Sequence, residues 1–146
     1  MSVTVAPLAV TDGDRRERLR APLLTIGALG AATLALHLRD PHHHGSWGEC
    51  PLAAVGLYCP FCGGLRAVND LTDGHVLAAA SSNLLVVLAM PFAIAGLLVW
   101  TLDRWRGVRR TVRLSPRTQQ AVTWSLAVVV VAFAALRNVP GSWLAP

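Results

Sequence analysis

Three long apolar stretches divide the chain. The first runs over residues 21–38, interrupted by Thr25, Thr33 and His37. The second, 84–102, and the third, 119–136, carry no charged residue. A membrane-spanning helix needs about 20 apolar residues, with a range of about 17–25. All three stretches meet that requirement, and a chain of 146 residues cannot bury such helices on every side in water.

The segments between these stretches are patterned differently. Pro22 falls at the first turn of span one, where a missing N–H does no harm, and Asp40-Pro41 ends that span. Cys59-Pro60 reads as a helix start, with proline at the first helical position. The helical spacing of Phe61, Leu65, Val68 and Leu71 predicts a buried face. Thr72-Asp73-Gly74-His75 is a turn, with Thr72 or Asp73 placed to cap the next helix. Ala78 to Ser82 are small residues, suited to close helix contact and to a homo-oligomer or membrane-protein partner. Asn83 marks a cap or a kink, and Pro91 a kink within span two. The predicted fold is all-α: an integral membrane protein with three transmembrane helices plus one or two short extracytoplasmic interfacial helices. Residues 1–20 form a cytoplasmic tail, and residues 1–14 carry no helix signal and are expected to be disordered. Residues 21–146 form one membrane domain, with an outer segment at 39–83 and a cytoplasmic loop at 103–117.

Composition agrees with this pattern. Hydrophobic residues make up 53% and charged residues 14%, against about 25% charged in an ordinary soluble domain. All 13 basic residues are arginine. Arg15, Arg16, Arg18 and Arg20 precede span one, and Arg104, Arg106, Arg109, Arg110, Arg113 and Arg117 lie between spans two and three. Only Arg39, Arg66 and Arg137 fall elsewhere. The positive-inside rule then predicts a plasma-membrane protein with its N-terminus in the cytoplasm and its C-terminus outside. Trp100, Trp105 and Trp124 fall near the cytoplasmic boundary, and Trp47 and Trp143 near the outer one. Span one reads as an uncleaved signal anchor, because no Ala-x-Ala site follows it before His37. The arginines serve topology and anionic headgroups, and no groove-reading motif points to nucleic acid. The expected environment is the lipid bilayer.

Chemistry concentrates between Cys50 and Asn83. Cys59 and Cys62 stand at i and i+3 on a predicted helix, with Cys59 at an N-terminus that would stabilise a thiolate. This pair makes a redox site possible. Three thiolates, Cys50, Cys59 and Cys62, with His75 or one of His42, His43 and His44, make a zinc or copper(I) site possible. Gly63 and not histidine follows Cys62, which argues against a covalent c-type haem. The plainer reading is a disulfide from Cys50 to Cys59 or Cys62 that staples the outer loop and leaves one thiol free. Arg66 and Asp70 are spaced for a helical ion pair, with a lipid phosphate or Asp73 as other partners for Arg66. The histidine run is a solvated loop.

The order C50…C59-P-F-C62-G-G-L-R-A, followed by Leu71, Gly74 and Asn83, resembles a bacterial membrane family known as domain of unknown function 2752. Matching positions are Cys50, Cys59, Pro60, Cys62, Gly63, Arg66, Ala67, Leu71, Gly74 and Asn83, and the resemblance covers residues 50–102. Leu65 stands where the family has threonine, and Leu84 where it has proline after the asparagine. The resemblance implies a small helical membrane protein and supplies no mechanism.

The sequence therefore predicts a small accessory or scaffold membrane protein with a cysteine-bearing outer cap, not an enzyme in the ordinary sense and without a bound cofactor. The alternative is an envelope thiol–disulfide or zinc- or copper-handling protein that uses Cys59 and Cys62. Spans two and three hold no ionisable residue, which argues against a transporter.

Overall fold

A computed structural model describes residues 2–7, 12–43, 47 and 50–145. The elements in order are β1 (Ser2–Pro7), α1 (Asp12–Leu38), α2 (Pro51–Ala54), α3 (Gly64–Thr72), α4 (Val76–Arg106), β2 (Val108–Arg113) and α5 (Pro116–Arg137). His44 and Glu49 lie outside the described residues. The fold is all-α in class, and three helices, within α1, α4 and α5, are long and apolar enough to cross a membrane.

The burial pattern is inverted relative to a soluble domain. Among the described residues the buried set includes Asn69, Asp70, Asn83, Asp103 and Arg137, whereas Leu24, Leu77, Phe92, Leu126 and Val131 are exposed. Exposed apolar side chains along whole helices are stable only where lipid replaces water.

Element boundaries follow local chemistry. α1 starts well before the apolar stretch, so Pro22 lies inside the helix rather than at its first turn. α4 ends at Gly107, whose φ of 71° is left-handed and suits glycine. α5 starts with Pro116 at its first turn and is capped by Ser115, whose Oγ accepts from Thr118 N at 3.2 Å. The expected disorder of residues 1–14 does not hold for Ser2–Pro7. That strand pairs antiparallel with β2, from Ser2 opposite Arg113 to Pro7 opposite Val108. β-pairing satisfies backbone groups that neither end of the helical bundle can use.

The two ends of the bundle differ. The ribbon end holds both arginine-rich segments: the Arg15 guanidinium lies 5.2 Å from the Trp105 ring, and Arg110 Nε meets Asp103 Oδ2 at 2.6 Å. The opposite end holds α2, α3 and the cysteines. α1, α3 and α4 pack backbone to backbone, with α3 against α4 the closest association. α5 joins them chiefly through side chains of its last turn.

Candidate functional site

The cysteine segment is a turn, not a helix start. Cys62 N donates to Cys59 O at 3.1 Å, and Gly63 adopts φ 73°. α3 begins only at Gly64, with Gly63 as its N-cap. The expected helix beginning at Pro60 is thereby corrected, and Cys59 does not stand at a helix N-terminus. The carbonyls that such a helix would use are taken by side chains from other elements. Asn83 Nδ2 donates to Pro60 O at 2.9 Å and to Cys62 O at 3.0 Å. Arg137 donates to Cys59 O, Pro60 O, Cys62 O and Ser82 O at 2.9–3.4 Å.

Asn83 provides its two contacts by leaving the helix. Its φ of −162° and ψ of 95° break α4 in two, and its Oδ1 accepts from Val86 N at 3.1 Å to start the second part. The break therefore occurs without the proline that resembling sequences carry at position 84. Asn138 completes the clamp. Its Oδ1 accepts from Tyr58 N, and its Nδ2 donates to Tyr58 O, both at 2.9 Å. The amide thus pairs with Tyr58 as a strand neighbour would.

These contacts gather three thiols. Cys50, Cys59 and Cys62 are free, and their sulfurs all lie within 4.8 Å of one another. Cys59 Sγ is 2.9 Å from Cys62 Sγ and 3.6 Å from Cys50 Sγ. Cys59 N donates to Cys62 Sγ at 3.2 Å. Cys62 is buried and the other two are half-buried. Burial, then the hydrogen bond with Cys59, pushes the Cys62 thiol up to about 12. The backbone N–H groups of Leu52 and Ala53 hold the Cys50 thiol below its ordinary value.

His75 does not join the cluster. α3, about 13 Å long at 1.5 Å per residue, carries the chain away to the start of α4, where His75 is the N-cap. Gly74, with φ 78°, lets His75 N donate to Asp70 O at 2.8 Å and closes α3. Neither Thr72 nor Asp73 caps α4: Thr72 Oγ1 donates to Asn69 O, and Asp73 is the C-cap of α3.

The expected ion pair between Arg66 and Asp70 does not form among the described residues. Asp70 turns inward instead, accepting from Ser82 Oγ at 3.0 Å and meeting His42 Nε2 at 3.2 Å. His42 Nδ1 meets Asp40 Oδ1 at 2.7 Å, and His37 Nδ1 meets Asp73 at 3.2 Å. The N–H of His42, then its ring, holds the Asp40 carboxyl below its ordinary value. His42 is therefore a strut between the end of α1 and α3 rather than a free loop residue. The predicted apolar face of α3 is only partly turned inward, with Val68 and Leu71 half-buried. Phe61 and Leu65 are exposed, while Ala67, Asn69 and Asp70 are buried. An interfacial helix turns its apolar stripe to lipid and its polar groups to the protein. Part of the small-residue face meant for a partner is used internally, since Ala79 is fully buried and Ser82 holds Asp70.

Arg137 and Asn138 are the functional residues that sequence reasoning missed. The available signal was an arginine on the sparsely charged side, directly followed by asparagine. A groove of about 440 Å³ between α1 and α4, lined by Thr25, Leu29, Met90, Ala93, Leu97 and Trp100 among others, has no ionisable side chain and is not the candidate site.

The site and fold together define a small helical protein with three potential spans and a three-thiol cap clamped by its last span. Residues 50–97 match the family model described as Protein of unknown function (DUF2752), the family that the cysteine segment resembles. No curated protein and no solved structure matches the chain.

Proposed function

We propose that the chain is a membrane-anchored thiol–disulfide exchange protein acting at the outer face of the cell membrane. One observation carries this reading: Cys59 Sγ stands between two other sulfurs, 2.9 Å from Cys62 and 3.6 Å from Cys50. A staple uses two sulfurs and gains nothing from a third beside them. A disulfide bond is about 2.05 Å long, so a small side-chain rotation joins Cys59 to either neighbour.

The exchange balances with an external disulfide as oxidant. The Cys50 thiolate attacks one sulfur of that disulfide, forming a mixed disulfide and releasing one thiolate. Cys59 attacks the Cys50 sulfur and releases the second thiolate. Cys62, after losing its proton, attacks Cys59 and returns Cys50 as a thiolate. Two protein thiols become one disulfide, and the external disulfide becomes two thiols. Cys50 is the half-buried thiol whose pKa lies below its ordinary value, whereas buried Cys62 receives the bond.

The test is disulfide mapping of the reduced full chain in detergent after exposure to glutathione disulfide. Wild type should end with Cys59 bonded to Cys62, and Cys62→Ser should stop at Cys50 bonded to Cys59. Exchange no faster than that of free glutathione, with all three thiols left unpaired, would sink the proposal.

A further inference from the structure

Arg137 poses a problem of charge that thiol exchange does not answer. It is 1% exposed, yet among the described residues it makes no ion pair with a carboxylate. Its four partners among the described residues are carbonyl oxygens, and its Nε has no hydrogen-bond partner among them. Its guanidinium stacks near the Phe133 ring at 5.1 Å, which supplies no full counter-charge. A second cation, Arg66, is close enough to repel it. A buried cation is costly without an anion beside it. Two of the three cysteines, Cys59 and Cys62, lend it their own carbonyls, and the third, Cys50, has its sulfur 3.6 Å from that of Cys59.

We infer that the reduced cluster is a binding site for a thiophilic closed-shell cation, zinc or copper(I), held by Cys50, Cys59 and Cys62 with Arg137 as the counter-cation beneath. Three thiolates around a divalent ion carry one net negative charge, and around a monovalent ion two. Arg137 alone balances the first, and Arg137 with Arg66 balances the second. Soft sulfur ligands select these two metals over hard cations. The distances are close to those required. At a metal–sulfur length of about 2.3 Å, tetrahedral sulfurs lie about 3.8 Å apart. Cys50 and Cys59 are already at 3.6 Å, and Cys59 and Cys62 must open from 2.9 Å. The hydrogen bond from Cys59 N to Cys62 Sγ suits a charged, metal-bound sulfur. No protein nitrogen completes the set among the described residues, since His75 lies beyond α3. The ion would then be three-coordinate, as copper(I) accepts, or keep one position for an outside ligand, as zinc does in open sites.

This inference uses the reduced thiols and stands apart from disulfide exchange. The test is titration of the reduced full chain in lipid nanodiscs, without oxygen, with zinc alone and with copper(I) alone, each against a competing chelator. Metal content is measured on the same samples, and cobalt serves as a spectroscopic stand-in for zinc. The expected result is one ion per chain and, with cobalt, a sulfur-to-metal charge-transfer band. Cys50→Ser, Cys59→Ser and Cys62→Ser should each abolish that stoichiometric uptake, and His75→Ala should not change it. Arg137→Gln should weaken binding by about 10–100-fold, the range for groups that support metal ligands, with Arg137→Lys recovering part of the loss. Zinc uptake alone or copper(I) uptake alone each supports the site and identifies its ion. Absence of uptake of both ions by wild type, or uptake unchanged in the Cys50→Ser and Cys62→Ser chains, overturns it. A chain that exchanges disulfides but takes up neither ion loses this inference and keeps the proposed function, and the converse result does the reverse.

Discussion

Arg137 Nη2 donates to the carbonyl oxygen of Cys62 at 2.9 Å, across 75 positions of sequence. This bond and those to Cys59 O and Pro60 O fasten the last turn of α5 to the cysteine turn, and a fourth, to Ser82 O, fastens it to α4. α5 is tied to the other elements by the polar contacts of Arg137 and Asn138 and by the buried Phe133 side chain. Arg137→Ala should therefore cost about 3 kcal/mol, the scale for losing hydrogen bonds to a charged group. It should also loosen the Arg137 end of α5 before the rest of the bundle. Thermal unfolding in detergent and proteolysis after residue 137 check both effects. Unchanged stability would mean that the clamp is dispensable.

Much of this architecture was legible in the sequence because a bilayer imposes simple rules. Uninterrupted apolar runs at 84–102 and 119–136 have no other stable home, and α4 and α5 contain them. The cysteine turn was not legible, because its shape is set from a distance. Cys59-Pro60 has local helix chemistry, but Asn83 and Arg137 occupy the carbonyls that helix would need. The exposure of Phe61 and Leu65 was not legible for a related reason. Helical spacing identifies an apolar stripe, and only the surrounding medium decides whether that stripe faces inward or toward lipid.

Asn83 serves two ends at once, breaking α4 and donating to Pro60 O and Cys62 O. Asn83→Ala removes both donors and favours a continuous helix. It should cost about 2–3 kcal/mol, since Asn83 is fully buried and its partners lose their bonds. Cys62 should also become accessible. Faster labelling of Cys62 by a small maleimide in the variant checks this, and equal rates would show that Arg137 alone holds the turn.

Adjacent glycines should respond in opposite ways. Gly63 has φ 73°, so Gly63→Ala forces an L side chain into the left-handed region at about 1–2 kcal/mol. Gly64 lies in α3, and a Cβ there would meet Val86 Cγ2 at 3.5 Å, an ordinary contact. Gly64→Ala should be neutral or stabilise by about 0.4–1 kcal/mol. Paired unfolding midpoints decide it, and similar losses at both positions would contradict the assigned turn.

The thiols should separate by alkaline reactivity. Cys62 is raised from its ordinary 9.0 to about 12 by burial, while Cys50 is lowered. Near the usual thiol pKa of about 8.5, iodoacetamide should modify Cys50 first and Cys62 last. A neutral Cys62 favours the folded state fully below 9.0, and that contribution is lost as pH rises toward 12. Cys62→Ala should remove this alkaline loss. Mass-spectrometric labelling order and unfolding across that window test the pair of claims, and early modification of Cys62 would refute both.

Orientation is the last expectation open to test. Both arginine-rich segments sit at one end, where Arg15 stacks near Trp105 and Ser2–Pro7 pairs with Val108–Arg113. The cysteine cap sits at the other end. The positive-inside rule then places the ribbon in the cytoplasm and the cap outside. Arg39, Arg66 and Arg137 are the exceptions on the cap side, and the charge of Arg137 is buried against carbonyls and does not act as a free loop charge. A phosphatase reporter that works only outside should be active when fused after Pro146. A reporter placed in the 103–117 loop should signal only from the cytoplasm. Arg137→Gln should leave both signals in place, whereas exchanging Arg104, Arg106, Arg109 and Arg110 for glutamine should weaken the orientation. A cytoplasmic signal after Pro146 in the unaltered chain would reverse the topology and put the cysteines in the reducing compartment, where a stable Cys59–Cys62 disulfide is not expected.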